Sequence, residues 1–417
     1  MRSLYGFLVR GSYLFLWGAQ LFSPKMKRFV QGRKDSFAKL ESGLSSNDKV
    51  IWMHCASLGE FEQGVPVIEA VKKRFPDHKF VITFFSPSGY EIKKNTPLAD
   101  VVIYLPLDTR TNAVRFLDLA KPKLAIFVKY EFWPNYLFEL KKRNVPTILI
   151  SGLFRPGQLF FKPHGGFMRK ALRTIDHFFV QNDNSKALLQ QIGFTNVTIS
   201  GDTRFDRVSH QIEMDNSLDF MDAFANSGLC IVCGSTWPED EAVLLPFING
   251  AGSDCKFVIA PHKIDDAQIA GFRKKCTKSV VLYSELADSG SADTSVLVID
   301  TIGLLSRIYS YADIAYVGGA MGTTGLHNIL EPATFGIPVV IGKNFEKFPE
   351  AIRLRQLAGL YSVSSAEECT EVLTKLTQDK DFRSKTGMIS GHFVNSNTGA
   401  TQTIMNHLEE LHGNGLI

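Results

Sequence analysis

Short apolar runs recur along the chain with helical stretches between them. In the first half they fall at residues 49–54, 79–84, 101–104, 124–128, 147–150 and 177–180, separated by helix-like segments such as 61–74 and 133–143. Strand and helix in this alternation give βαβ order, which predicts a parallel sheet. A polar stretch from Ser209 to Ser217 breaks the rhythm, and a second series comes after it at 230–233, 257–260, 280–282, 297–299, 314–317 and 339–341. The pattern therefore predicts two α/β domains, residues 31–210 and 226–395, joined by a linker at 211–225. A last helix, within 396–417, can pack on either domain. Ligands bind outside the carboxyl ends of strands in such sheets, so two domains of this kind predict a site in a cleft between them.

The first 30 residues break this pattern. From Leu4 to Phe22 the chain is almost wholly apolar, with Arg10 its only charge, and Lys25, Lys27, Arg28, Arg33 and Lys34 come next. A run of roughly 20 residues can span a bilayer or lie along it, and both possibilities stay open at this point. A signal peptide fits poorly, because the positive cluster comes after the apolar run and no small-residue cleavage site stands out. The basic flank predicts a cytoplasmic position for the chain beyond Phe22. The competing reading is an apolar helix packed on the protein itself, which the charge at Arg10 favours.

Composition narrows the picture. A chain of 417 residues that is 45% hydrophobic can fill two cores. A net charge of +4, with no basic helix and no zinc pattern, gives no ground for a nucleic-acid partner. The six cysteines are scattered, and Cys230 and Cys233 lie inside an apolar run, so buried thiols are expected rather than a metal or redox centre.

Two places carry candidate chemistry. The run 314–317 leads into Gly318-Gly319, then Gly325-Leu326-His327-Asn328, with a helix expected over 328–335 that carries Glu331. Glycines there would let the loop close beside a ligand, the helix start would offer N–H groups to a phosphate, and Glu331 could grip sugar hydroxyls. A Gly-rich structural turn, with Glu331 as a first-turn acid, explains the same residues equally well. The second place is the end of the run 49–54, where His54-Cys55-Ala56-Ser57-Leu58-Gly59-Glu60 leads into a helix. Glu60 at that helix start could take a proton from a hydroxyl, and the helix dipole is expected to lower its pKa and hold it ionised. A second carboxylate, Glu131, lies beyond the run 124–128 in Lys129-Tyr130-Glu131-Phe132-Trp133-Pro134-Asn135.

These segments, taken in order, resemble the 3-deoxy-D-manno-octulosonic acid (Kdo) transferases of lipopolysaccharide synthesis. The likeness covers almost the whole chain: the apolar N-terminus, the loop ending in Glu60, the Glu131–Asn135 stretch, Gly201-Asp202-Thr203-Arg204-Phe205-Asp206, and Gly318-Gly319 with the His327-Asn328…Glu331-Pro332-Ala333 segment. The resemblance implies a GT-B fold of two Rossmann-like domains facing a central cleft, and an inverting glycosyltransferase that moves Kdo from CMP-Kdo to a glucosamine hydroxyl of a lipid A precursor. It implies Glu60 as general base, with Ser57 and Gly59 beside the acceptor and Glu131 supporting that side. It further implies that Ser235, Thr236, His262, Lys263, Gly318, Gly319, Gly325, His327, Asn328 and Glu331 hold the donor.

Some positions depart from the family pattern. Gly234-Ser235-Thr236 is followed by Trp237-Pro238-Glu239 where a histidine-containing loop is usual. Pro261-His262-Lys263 stands for Pro-Arg-His, so the cation beside the donor phosphate would be Lys263 or His262, and Lys129 stands where an acid is common. One phosphate needs no bridging metal, and no Asp-x-Asp or His/Cys ligand spacing is present, so neither metal nor other cofactor is expected. Aromatic and basic residues interleave from Phe154 to Arg173, and Arg155, Lys162 and Arg169 are expected to meet acceptor phosphates while the aromatics meet acyl chains. The expected location is the cytoplasmic face of the inner membrane, peripheral or single-pass. Two alternatives stand beside this reading: another GT-B enzyme using a UDP-sugar, and a catalytically silent sugar-binding protein at the membrane surface.

Overall fold

The computed structural model describes residues 1–226, 228–286 and 294–416. They form two compact units: Met1–Arg207 with Thr398–Ile417, and Val208–Asn397.

The first unit is built on a parallel sheet of seven strands: β1 (Lys49–Cys55), β2 (His78–Phe84), β3 (Val101–Tyr104), β4 (Pro122–Val128), β5 (Thr147–Gly152), β6 (His177–Val180) and β7 (Val197–Ile199). Their order across the sheet is β3-β2-β1-β4-β5-β6-β7. Strands β1 and β4 are buried along nearly their whole length, as near-continuous apolar runs require when helices cover both faces. The order reverses between β1 and β4, so the chain leaves these neighbouring strands in opposite directions and opens a crevice at their carboxyl ends. Residues 55–60 and 129–133 lie there.

The second unit repeats the plan with β8 (Leu229–Thr236), β9 (Cys255–Pro261), β10 (Val280–Leu282), β11 (Val296–Val298), β12 (Ile314–Val317), β13 (Val339–Gly342) and β14 (Leu360–Val363). The order is β10-β11-β9-β8-β12-β13-β14, again parallel, with its reversal between β8 and β12. Residues 234–237 and 318–321 lie at the ends of those two strands.

The C-terminal helix Ala400–Gly413 packs on the first unit, where Ile404, Met405 and Leu408 join the core under the helix Leu58–Arg74. Asp206 caps its start, accepting from the backbone N–H groups of Gly399 and Thr401 at 2.6 Å each. Asp202 accepts from Gln63 Nε2 at 3.1 Å and from Arg204 Nε at 2.9 Å. The Gly201–Asp206 motif thus acts as a clamp, tying the helix that begins beside Glu60 to the end of the chain. Five of the six cysteines are buried, Cys276 is half-buried, and all are free thiols.

The N-terminal apolar run forms the helix Arg2–Ala19, none of whose residues is fully buried. No described helix is long and apolar enough to cross a membrane. Eighteen residues rise only about 27 Å, and two arginines and three glycines dilute the run. The helix is two-faced. Leu4, Phe7, Leu8, Leu14, Phe15 and Trp17 are exposed, Phe7 and Phe15 by 72% and 77%. Arg2, Tyr5, Val9, Tyr13 and Leu16 are half-buried on the other side. Arg10 lines a cavity of about 630 Å³ with Tyr13, Arg33 and Lys34.

Candidate active site

At the β1 switch point, Glu60 is the third residue of the helix Leu58–Arg74 and is only 5% exposed. Its Oε2 accepts from the backbone N–H of Ala56 at 2.5 Å and of Ser57 at 3.1 Å. These bonds stabilise the anion, as the sequence reading expects, yet burial outweighs them. Burial first and the charge of Glu131 second push the Glu60 pKa up to about 7, against the bonds from Ala56 and Ser57 and the charge of Lys129. The expectation of a lowered pKa is thereby corrected: desolvation of a nearly enclosed carboxylate exceeds what a helix end and two N–H groups return. A carboxylate with a pKa near neutrality is both available and strong enough to accept a proton from a hydroxyl.

Glu131, whose charge reaches Glu60, belongs to a chain of polar groups that runs from the half-buried Glu131 and Trp133 to the buried His54 and Thr83. Trp133 Nε1 donates to His54 Nε2 at 2.8 Å and to Glu131 Oε2 at 3.1 Å. His54 Nε2 is therefore the accepting nitrogen, and Nδ1 carries the proton toward the Thr83 hydroxyl at 2.8 Å and carbonyl at 3.1 Å. Neither His54 nor Trp133 is evident as functional from sequence alone; the signal was their place in the two motifs. Lys129 holds φ at +69°, a left-handed backbone that favours glycine, directly where β4 ends. Replacing Glu131 with glutamine removes a repulsive charge, so the Glu60 pKa should fall and the acid limb of the pH–rate profile should move to lower pH. Rates from pH 5 to 8 would show it; an unmoved limb contradicts the coupling.

Ser57 precedes the helix that bears Glu60, and Gly59 has open space where a Cβ would stand. Arg155 and Lys162 are exposed. Arg169 is differently used: its Nη1 donates to the Phe160 and Lys162 carbonyls at 2.9 and 2.7 Å and its Nη2 to that of Pro163 at 3.2 Å. The aromatics of this strip also turn inward. Phe154 and Phe160 are core residues in contact with Phe132, Phe161 and Phe178, leaving Leu159 as the exposed apolar side chain there. A ring gains more by closing the core than by facing water, so the expected acyl-chain strip is reduced to Leu159 among the exposed cations Arg155, Lys162, Lys170 and Arg173.

At the switch point of the second unit, Gly318 is dictated by contact. A Cβ there would lie 2.4 Å from the Ser235 carbonyl oxygen and 2.9 Å from Asp240 Oδ2. Gly319 and Gly325 both have positive φ, +93° and +101°. Ser235 is left-handed too, at +54°, so each unit stores backbone strain at the strand flanking its switch point. The organiser of this loop is Asp240, which sequence reading missed. It is fully buried, and accepts from Gly319 N at 2.8 Å, Trp237 N at 3.0 Å and Tyr316 OH at 2.9 Å. Like Glu60, it is the third residue of the first helix after the first strand of its unit, which was the available signal.

Thr236 is buried and donates to Glu241 Oε1 at 3.0 Å, so its hydroxyl is committed to structure. Trp237, His262 and His327 form a stack: Trp237 to His262 at 4.8 Å and His262 to His327 at 4.3 Å between ring centroids. Lys263 Nζ lies 5.0 Å above the Trp237 ring. Burial first, and for His262 the charge of Lys263, hold both imidazoles below their usual range, His327 at about 4. Both are neutral at pH 7, which leaves Lys263 as the cation of this group. The helix expected over 328–335 is shorter, Leu330–Thr334, and its Leu330 N–H is taken by Asn328 Oδ1 at 3.2 Å. One of the N–H groups at that helix start is thus taken by the chain itself, and the Asn328 side chain also donates to Glu331 Oε1 at 3.0 Å. Among the described residues no group of three or more His, Cys, Asp or Glu side chains could hold a metal ion.

A family model described as 3-deoxy-D-manno-octulosonic-acid transferase matches residues 27–207. The 3-deoxy-D-manno-octulosonic acid transferase of Haemophilus influenzae is 25% identical over 405 residues, covering 93% of each chain. That of Aquifex aeolicus is 29% identical over 343 residues, 81% of this chain and 88% of its own. Among solved structures, the UDP-GlcNAc 2-epimerase of Neisseria meningitidis bound to UDP-GlcNAc matches with a TM-score of 0.63 at 17% identity, over 87% of this chain and 100% of that one. MurG of Acinetobacter baumannii matches at 0.52 and 12% identity, over 87% and 99%. These two likenesses concern the fold, and the two units are of the GT-B type in their make-up.

Proposed function

We propose, for a chain that is a glycosyltransferase related over most of its length to the Kdo transferases, that it moves Kdo from CMP-Kdo to a glucosamine hydroxyl of a lipid A precursor in lipopolysaccharide synthesis, with inversion and with Glu60 as the general base. The observation that carries this reading is Glu60 itself: a buried carboxylate at a switch point, with its pKa raised to about 7 and a second acid behind it.

In the proposed step the acceptor oxygen attacks the anomeric carbon of Kdo as its proton passes to a carboxylate oxygen of Glu60. The bond from that carbon to the CMP phosphate oxygen breaks, and CMP leaves with the bonding pair. The negative charge of Glu131, a carboxylate held by the Trp133 indole N–H, keeps the base from ionising too easily. Lys263 and Ser235 offset the charge on the departing phosphate, an electrostatic contribution that commonly exceeds that of the proton transfer. Gly318, Gly319 and Gly325 let backbone approach the nucleotide, and Asn328 with Glu331 addresses the sugar. The family's donor should show in competition: CMP is expected to inhibit at concentrations where UDP does not. Equal or stronger inhibition by UDP would favour a UDP-sugar enzyme instead.

The same reading places the protein peripherally on the cytoplasmic face of the inner membrane, with the exposed side of Arg2–Ala19 laid against the lipid. Arg155 and Lys162 serve acceptor phosphates in this account. Reversing both charges to Glu is expected to raise the acceptor KM about tenfold with donor KM unchanged, as for loss of contacts to a charged group. An unchanged acceptor KM would remove this patch from the acceptor site.

A further inference from the structure

The inner side of the N-terminal helix is wired to the loop that carries Glu131. Asp108, fully buried between β3 and the helix Arg110–Ala120, is the junction. Its carboxylate accepts from the backbone N–H of Asn135 and of Tyr136 at 3.1 Å each, capping the helix Pro134–Lys142 from outside. The residue at the head of that helix is Trp133, whose indole N–H holds both His54 and Glu131. From the other side Tyr5 donates its hydroxyl to Asp108. Arg2 Nε donates to Asn135 Oδ1 at 2.8 Å, and Asn135 Nδ2 in turn to the Asp108 carbonyl at 2.7 Å. Tyr5 also packs its ring on Phe167 and Arg2 lies over Phe138.

An anchor needs only the exposed side of this helix. Leu4, Phe7, Leu8, Leu14 and Phe15 make none of these contacts, whereas Arg2 and Tyr5, on the opposite side, reach buried polar groups of the catalytic unit. Taking an arginine and a tyrosine hydroxyl partly out of water is costly unless they are paired, and here Arg2 Nε and the Tyr5 hydroxyl are paired to Asn135 and Asp108 while Arg2 Nη2 is enclosed without a partner, so their placement has a structural consequence beyond attachment. We propose that Arg2, Tyr5, Asp108 and Asn135 are positioning residues: docking of the N-terminal helix fixes the start of Pro134–Lys142, and through Trp133 it fixes Glu131 and His54 behind the catalytic base. The helix is then part of the active-site scaffold, and the protein reaches full activity only with that helix seated. This inference rests on the proposed role of Glu60 and Glu131 for its link to catalysis, but the physical coupling stands apart from it.

The test uses the full chain and separates seating from membrane attachment. The double variant Arg2→Gln, Tyr5→Phe leaves the exposed face intact, and Phe7→Ser alters that face alone. Amide hydrogen exchange at Asn135 and Tyr136 in the double variant should accelerate at least tenfold, with binding to vesicles of phosphatidylethanolamine and phosphatidylglycerol unchanged. Its kcat on a water-soluble, deacylated acceptor should fall about tenfold, an acceptor for which attachment is irrelevant. Phe7→Ser should weaken vesicle binding and leave both exchange and that kcat as in the wild type. Unchanged exchange at Asn135 and Tyr136 would overturn the coupling whatever the enzyme transfers. Accelerated exchange with unchanged kcat would overturn the positioning role, and if the wild type shows no Kdo transfer at all, the functional reading fails while the exchange result still decides the coupling.

Discussion

Replacing Glu60 with alanine or glutamine is expected to lower kcat for Kdo transfer by 10²-fold or more, the usual worth of a positioned general base being about 10²–10⁴. Donor KM should hardly move, since in the proposed step the side chain acts on the alcohol. The glutamine variant carries a second, opposite consequence. The folded Glu60 pKa, about 7, lies above its ordinary 4.5, so folding takes up a proton and the stability this group contributes is present below about 4.5 and lost as pH rises through 7. The full shift corresponds to roughly 3 kcal/mol. Glutamine cannot ionise and its amide oxygen can still accept from Ala56 and Ser57, so Glu60→Gln should melt above the wild type at pH 8 and level with it near pH 4. A catalytic loss paired with a pH-dependent gain in Tm is the signature of a strained functional carboxylate. A variant that loses stability at pH 8 would show instead that Glu60 serves as a cap, as Asp240 does.

The second large effect concerns Asp240. In Asp240→Ala the N–H groups of Gly319 and Trp237 and the hydroxyl of Tyr316 lose their acceptor in a place without solvent. Breaking such a buried network costs about 3–5 kcal/mol. Urea denaturation should register that loss, and calorimetric binding of CMP should weaken by more than tenfold, because the Gly318–Gly319 loop is held by this carboxylate. Destabilisation under about 1 kcal/mol would mean that the strands alone hold the loop. Gly318→Ala probes the same contact from the other side, since its new methyl would meet the Ser235 carbonyl and the Asp240 carboxylate.

Periodicity made the two sheets legible, and both switch-point loops with them, because fully buried parallel strands are unbroken apolar runs and glycines mark where loops tighten. The edge strands β7 and β14 escaped notice: Val197–Ile199 has three residues with Thr198 in the middle, and Leu360–Val363 holds Tyr361 and Ser362, so neither stands out as an apolar run. Residue types at the site were also legible, but their ionisation was not. Whether a first-turn glutamate is acidic or nearly neutral depends on how completely the fold encloses it and on which charges the fold brings near, and at Glu60 one of these is Glu131, remote in sequence. The same holds for the aromatic strip near Phe154, whose spacing fits a lipid-facing surface and whose packing places it in the core. Asp240, Asp108 and Trp133 act through partners 27 to 79 positions away, which no local pattern reveals.

The most direct test is to incubate the purified full-length protein with CMP-Kdo and a tetra-acylated lipid A precursor and to weigh the lipid products by mass spectrometry, beside the Glu60→Ala variant. The account predicts acceptor mass increased by whole Kdo residues for the wild type and essentially unmodified acceptor for the variant in the same time. Unmodified lipid from the wild type, or equal product from both proteins, would contradict it.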